Sequence, residues 1–95
     1  MQIGKTIKLL RKEKGWIQEE FSKKIEISVT SLSLIESGTT RPNKTTLLRI
    51  CEVLEIPEPF LFLLSISEDD VPPEKREIYK ILAPTLKNIV DQLVK

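Results

Sequence analysis

Apolar residues recur along the chain at spacings of three and four, the period of an amphipathic helix, and no window alternates as a half-buried strand would. The first such run covers about residues 2–13, with Ile3, Ile7 and Leu10 on one face and Gly15 beyond it as a left-handed stop. A second run, residues 18–25, sets Phe21 and Ile25 four apart. After a tight turn at Glu26 and Ile27, Ser28 is a good N-cap for a third run, residues 29–37, with Leu32 and Ile35 pointing inward. Residues 39–42 are a loop, because Pro42 disfavours helix in the residue before it. Asn43 caps a fourth run, residues 44–54, which buries Leu47, Ile50, Cys51 and Leu54. Pro57 and Pro59 stand where a fifth helix, residues 58–64, tolerates missing N–H groups.

The pattern predicts an all-α chain in three parts: a helical unit over 1–64, an acidic linker over 65–72 and a C-terminal helical segment over 73–95. The last segment carries an apolar stripe of Ile78, Leu82, Leu86, Ile89 or Val90, and Leu93. Pro84 lies inside it and is expected to kink or split the helix, since a proline in a helix interior costs ~3 kcal/mol. The fifth run poses a packing problem. Phe60, Leu61, Phe62, Leu63 and Leu64 point all round one short helix, so a single small bundle cannot bury them all. Phe60, Leu63 and Leu64 are therefore expected to join Ile78, Leu82, Leu86, Ile89 and Leu93 in the interface of a symmetric homodimer. The alternative is a tail that folds back over the fifth helix of its own chain.

Charge divides the chain in the same way. Residues 1–49 carry ten Lys/Arg against five Glu, and residues 50–95 carry five Lys/Arg against nine Asp/Glu. A basic front and an acidic rear fit a nucleic-acid-facing end and a partner-facing end. The chain has one cysteine, Cys51, and no histidine, so it can form no internal disulfide and no Cys/His zinc site. No metal or cofactor is expected. Nor does any stretch approach the ~20 apolar residues of a membrane span, and the charged start does not resemble a signal peptide; a cytoplasmic location is the expectation. An enzyme is disfavoured, because a histidine, a nucleophile triad and a glycine-rich phosphate loop are all missing. Asp69 and Asp70 form an acidic pair, expected to be solvated linker.

Residues 18–36 hold the functional signal. Two short helices joined by a tight turn need a small residue where they cross, and Ser22 supplies it. At ~100° per residue the buried direction of the second helix is set by Leu32 and Ile35. Thr30, Ser33, Leu34 and Ser37 fall opposite, flanked by Val29 and Ser31. A short helix with a neutral outer face suits insertion into a major groove, where hydroxyls and apolar groups meet base edges and thymine methyls. Trp16, outside this helix, is expected to anchor against the first helix or the tail.

The stretch from Ile3 to Phe62 resembles the phage-repressor-like (Cro/XRE) helix-turn-helix domain, through LRKEKG-W-x-QEE, S-x-x-x-L-S-x-I-E-x-G, RPN and LLRICEVLEI in that order. The resemblance implies a five-helix lambda-repressor-like bundle whose third helix reads DNA. It places Gln18 against a phosphate, Val29, Thr30, Ser33 and Leu34 towards bases, and Ser31, Asn43 and Lys44 on the backbone. Ser37 joins the base-facing set from its place on the outer face, and Thr40 and Arg41 join the backbone set from the adjoining loop. The resemblance also pairs Arg11 with Glu36. Read from the residues alone, that pair is two solvated charges worth at most ~1 kcal/mol. Three positions depart from the family's pattern. Glu26 and Glu55 stand where glycine is usual, and Ile17 replaces the usual threonine cap.

The expected function is sequence-specific binding of double-stranded DNA by a dimeric regulator, a repressor in the simplest reading, on a near-palindromic operator. The alternative is a protein-binding module on the same fold, an antitoxin or adaptor, with weak or no DNA binding. It is kept open because the third helix offers no Arg, Lys, Gln or Asn for bidentate base contacts.

Overall fold

Every apolar run becomes a helix. The structure, a computed structural model, describes residues 1–94. In chain order it contains α1 (Ile3–Glu13), α2 (Gln18–Lys24), α3 (Val29–Glu36), α4 (Lys44–Leu54), α5 (Glu58–Ser65) and α6 (Arg76–Val94). A single 3-10 turn at Glu68–Asp70 interrupts the linker, and another at Pro73–Lys75 leads into α6. There is no strand among the described residues.

α1 to α5 wrap one core. Ile7 of α1, Phe21 of α2, Leu32 of α3, Ile50 of α4 and Leu61 of α5 are fully buried, and Ile25 and Ile56 close the cluster from the turns. Burying each such side chain stabilises the fold by roughly 1.5–3 kcal/mol before the entropy of ordering the chain is set against it. α1 lies across α3 and α5. Its approach to α3 is close enough that a Cβ at Gly4 would collide with the carbonyl oxygen of Ile35. Cys51 sits in this core, and burial pushes its thiol pKa up, with the nearby negative charge of Glu58 adding to the rise. It is an inert apolar residue there.

Local chemistry marks the helix ends. Ser28 Oγ accepts the Ser31 N–H at 3.0 Å, and Asn43 Oδ1 accepts the Thr46 N–H at 2.8 Å. α2 lacks a capping side chain at Ile17, but Glu20 reaches back and its carboxylate accepts the Ile17 N–H at 3.0 Å. That supplies half of a capping box. Glu26 and Glu55 both adopt the left-handed region, at φ 60° and 56°. Arg49 Nε of α4 lies 3.1 Å from Glu26 Oε2, a tether that accompanies the strained turn between α2 and α3.

The C-terminal segment forms the expected helix, and α6 continues as one helix through Pro84 rather than splitting there. Pro84 is exposed, so water can reach the carbonyl that its missing N–H leaves free. The apolar residues of α6 also divide between two directions. Tyr79, Ala83 and Val90 turn towards the rest of the chain, with Val90 4% exposed and the Tyr79 hydroxyl donating to the Ile66 carbonyl at 2.7 Å. Ile78, Ile81, Leu82, Leu86, Ile89 and Leu93 keep between 46% and 74% of their surface exposed. α6 packs on α5 and on the two 3-10 turns. In the linker, Asp70 is not simply solvated. It accepts from the Met1 amino group at 2.6 Å and from the Ser67 N–H at 2.9 Å, and these bonds hold its carboxyl below the usual range.

Glu55 ends α4 in a conformation that costs an L-residue with a side chain roughly 1 kcal/mol relative to glycine. Its only ion pair among the described residues is a 3.6 Å contact with Lys14, and its side chain is 79% exposed, so little is lost with the carboxylate. Glu55→Gly is expected to raise unfolding stability by about 0.5–1 kcal/mol, seen as a higher urea midpoint and a melting temperature several degrees higher.

Candidate nucleic-acid interface

α3 is short, eight residues, and is held from behind. Leu32 and Ile35 anchor it in the core, and Glu36 at its end is 6% exposed. Glu36 is fixed by Arg11 of α1, itself 5% exposed, through Nε to Oε2 at 2.7 Å and Nη2 to Oε1 at 3.1 Å. This is a bidentate pair of the strong, planar kind. Arg11 Nη1 donates to the Trp16 carbonyl at 2.7 Å, and Gln18 Nε2 donates to Glu36 Oε1 at 2.9 Å. The four groups form one closed network joining α1, the α1–α2 turn, the start of α2 and the end of α3. No buried side-chain nitrogen or oxygen among the described residues lacks a partner.

The outer face of α3 is open. Val29 and Leu34 are 40% and 38% exposed, and Thr30, Ser31, Ser33 and Ser37 are exposed with them. Two of the hydroxyls are committed locally: Ser31 Oγ accepts from Ser28 Oγ at 2.9 Å, and Ser37 Oγ donates to the Leu34 carbonyl at 3.0 Å. The only ionisable residue of α3 is Glu36, which is buried, so the outer face carries no charge.

The residues beside this face are positioned by turns and caps. Gln18 is the first residue of α2, half-buried and tied to Glu36. Asn43 is occupied as the cap of α4, with Lys44 exposed at the first position of that helix. Thr40 and Arg41 line a groove of about 520 Å³ between the loop and the start of α1. Lys5 and Lys8 line the same groove, and the sequence reading did not single them out. Their signal was present: they lie three apart, so they share a face of α1. Neither they nor Arg41 is in an ion pair among the described residues. Trp16 stacks on Phe21 of α2, centroids 5.8 Å apart, with the Lys24 ammonium 4.9 Å from its ring. Its ring partner is thus on α2, where the sequence pointed to the first helix or the tail.

A family model described as helix-turn-helix matches residues 7–61, from the middle of α1 into α5. The chain belongs to the Cro/XRE-type helix-turn-helix family. It is 34% identical over 55 residues to antitoxin HipB of Escherichia coli strain CFT073, an alignment covering 58% of this chain and 58% of that protein. The same identity holds over 55 residues for antitoxin HipB of Escherichia coli K12, covering 58% of this chain and 62% of the antitoxin. The chain thus spans about three fifths of the length of the antitoxins it matches. It is also 37% identical over 73 residues to the uncharacterized HTH-type transcriptional regulator YazB of Bacillus subtilis strain 168, covering 76% of this chain and 91% of that protein. No solved structure matches. The matched residues hold α2 and α3, the helix-turn-helix pair, in full. No helix among the described residues is long and apolar enough to cross a membrane, and none of their His, Cys, Asp and Glu side chains cluster as a metal site.

Removing one member of the buried pair leaves the other in the core without its counter-charge, at a cost of about 3–5 kcal/mol. Arg11→Met is therefore expected to lower unfolding stability by that amount in a urea titration. Arg11→Met combined with Glu36→Leu should cost much less than the sum of the two single changes, because no unpaired charge remains.

Proposed function

We propose that this protein is a transcriptional repressor that binds a near-palindromic operator as a homodimer, each copy setting α3 in the major groove. The observation that carries the reading is the outer face of α3: rigidly backed, uncharged and open to solvent. Val29, Thr30, Ser33, Leu34 and Ser37 face the bases. Gln18, Ser31, Thr40, Arg41, Asn43 and Lys44 take the phosphates on either side, with Lys5 and Lys8 extending that set through the shared groove. Gln18 has a second amide N–H to offer a phosphate while its first is held by Glu36. The start of α4 adds the positive end of its helix dipole. Affinity then comes largely from phosphate contacts and falls with salt, while sequence preference comes from α3.

The dimer rests on α6. Leu82, Leu86, Ile89 and Leu93 repeat at four, three and four residues, the spacing of a coiled-coil seam, and all four are exposed. Leu63 of α5 is 40% exposed and lines an apolar hollow of about 530 Å³ with Phe62, Pro59 and Ile66. Phe60 and Leu64, half-buried against the core, contribute less. A second copy packed along α6 removes this surface from water and sets two α3 helices about one DNA turn apart, ~34 Å. Such a dimer represses by occupying the duplex.

A second reading, favoured by the similarity to the two HipB antitoxins, is a protein-binding module with weak or no DNA binding, its exposed apolar α6 face given to a different protein. Sedimentation of the purified protein separates the two: a dimer supports the first reading, a monomer the second.

Leu86→Asp with Ile89→Asp should turn a sedimenting dimer into a monomer and weaken operator binding while leaving the helical content near that of the parent. Gln18→Ala and Lys44→Ala should weaken binding to all duplexes alike, Lys44→Ala also lowering the slope of log K against log salt by about 1, whereas changes at Thr30 or Ser33 should alter which sequence is preferred.

A further inference from the structure

We propose that α3 selects thymine through its C5-methyl group, so that the preferred duplex is A·T-rich with methyls set against Val29 and Leu34. This rests on the DNA-binding reading above and specifies what the α3 face recognises.

The side chains on that face narrow the chemistry. Guanine is read best by Arg or Lys and adenine by Asn or Gln, each through paired hydrogen bonds. α3 holds none of these, and its one charged residue, Glu36, is buried and paired with Arg11. What it presents instead is two exposed apolar side chains, Val29 and Leu34, with Thr30 and Ser33 on the surface between them. Val29 and Leu34 are five positions apart, about 7.5 Å along the helix, so the two meet different base pairs.

In the major groove only thymine, among the four bases, offers an apolar group. Val or Leu against that methyl removes apolar surface from water on both sides. Against any other base edge the same side chain strips water from a polar nitrogen or oxygen and returns no hydrogen bond. Attraction and penalty therefore act in the same direction. The Thr30 and Ser33 hydroxyls make no hydrogen bond within the described residues, unlike those of Ser31 and Ser37. Each can donate to thymine O4 or adenine N7, or accept from adenine N6, so they accompany an A·T pair without fixing its orientation. A further consequence concerns 5-methylcytosine. It carries its methyl on the same ring carbon, and the same contact accepts it.

The test uses the full-length protein and two random duplex libraries, one containing thymine and one with uracil throughout, which keeps every hydrogen-bonding group and lacks only the methyl. The thymine library should enrich an A·T-rich sequence. Remade with uracil at single positions, that duplex should bind about fourfold more weakly for each contacted methyl removed. In Val29→Ala with Leu34→Ala the thymine and uracil duplexes should bind alike. Equal binding of the two duplexes by the parent protein overturns the inference while leaving DNA binding intact. A uracil penalty unchanged in the double variant marks a DNA-shape effect and also overturns it. No enrichment from either library overturns the DNA-binding reading, and this inference with it.

Discussion

The Arg11–Glu36 pair is the constraint on which the arrangement of the first three helices depends. Two charges in the core cost free energy to strip of water, and they persist only where geometry and further hydrogen bonds compensate. Here the guanidinium fork meets both carboxylate oxygens, its remaining amino group meets the Trp16 carbonyl, and Gln18 adds a further donor to Glu36. Apolar contacts tolerate small slides and rotations, whereas a bidentate pair with fixed donors and acceptors does not. The network thus locks the end of α3 to α1 and to the first residue of α2. Gly4 contributes in the same place by allowing α1 to lie directly on the Ile35 carbonyl.

That rigidity matters because the exposed surface of α3 is chemically plain. With no charge and no amide on the face, recognition cannot draw on strong individual contacts, and the geometry in which the face is presented carries more of the discrimination. Positive charge sits outside α3 instead, on Lys5, Lys8, Arg41 and Lys44, exposed and, among the described residues, free of ion pairs. The surface is divided: a neutral centre suited to base edges and a basic border suited to phosphates.

The C-terminal helix shows how one amphipathic segment can serve two directions. Tyr79, Ala83 and Val90 fasten α6 to its own chain, and the neighbouring stripe is left outward. Anchoring along one edge orients the exposed stripe before any second molecule arrives, which lowers the entropy lost on association. Fold-back and dimer, alternatives in the sequence, are compatible in three dimensions because they use different faces of the helix.

The helices, their caps at Ser28 and Asn43, and the inward set from Ile7 to Leu54 were all legible in the chain. These features depend on spacing, side-chain chemistry and nearest neighbours, which are linear properties. The resemblance to a known family named the Arg11–Glu36 partners but not their environment, and only packing of three helices around them made two ordinary surface residue types into a buried network. The same holds for the stacking of Trp16 on Phe21, for the grouping of Lys5 and Lys8 with Arg41, and for the unbroken passage of α6 through Pro84. Helical periodicity says which residues share a face. Which neighbour that face meets, and how much water is left there, is decided by parts of the chain far away in sequence, and so by the tertiary structure alone.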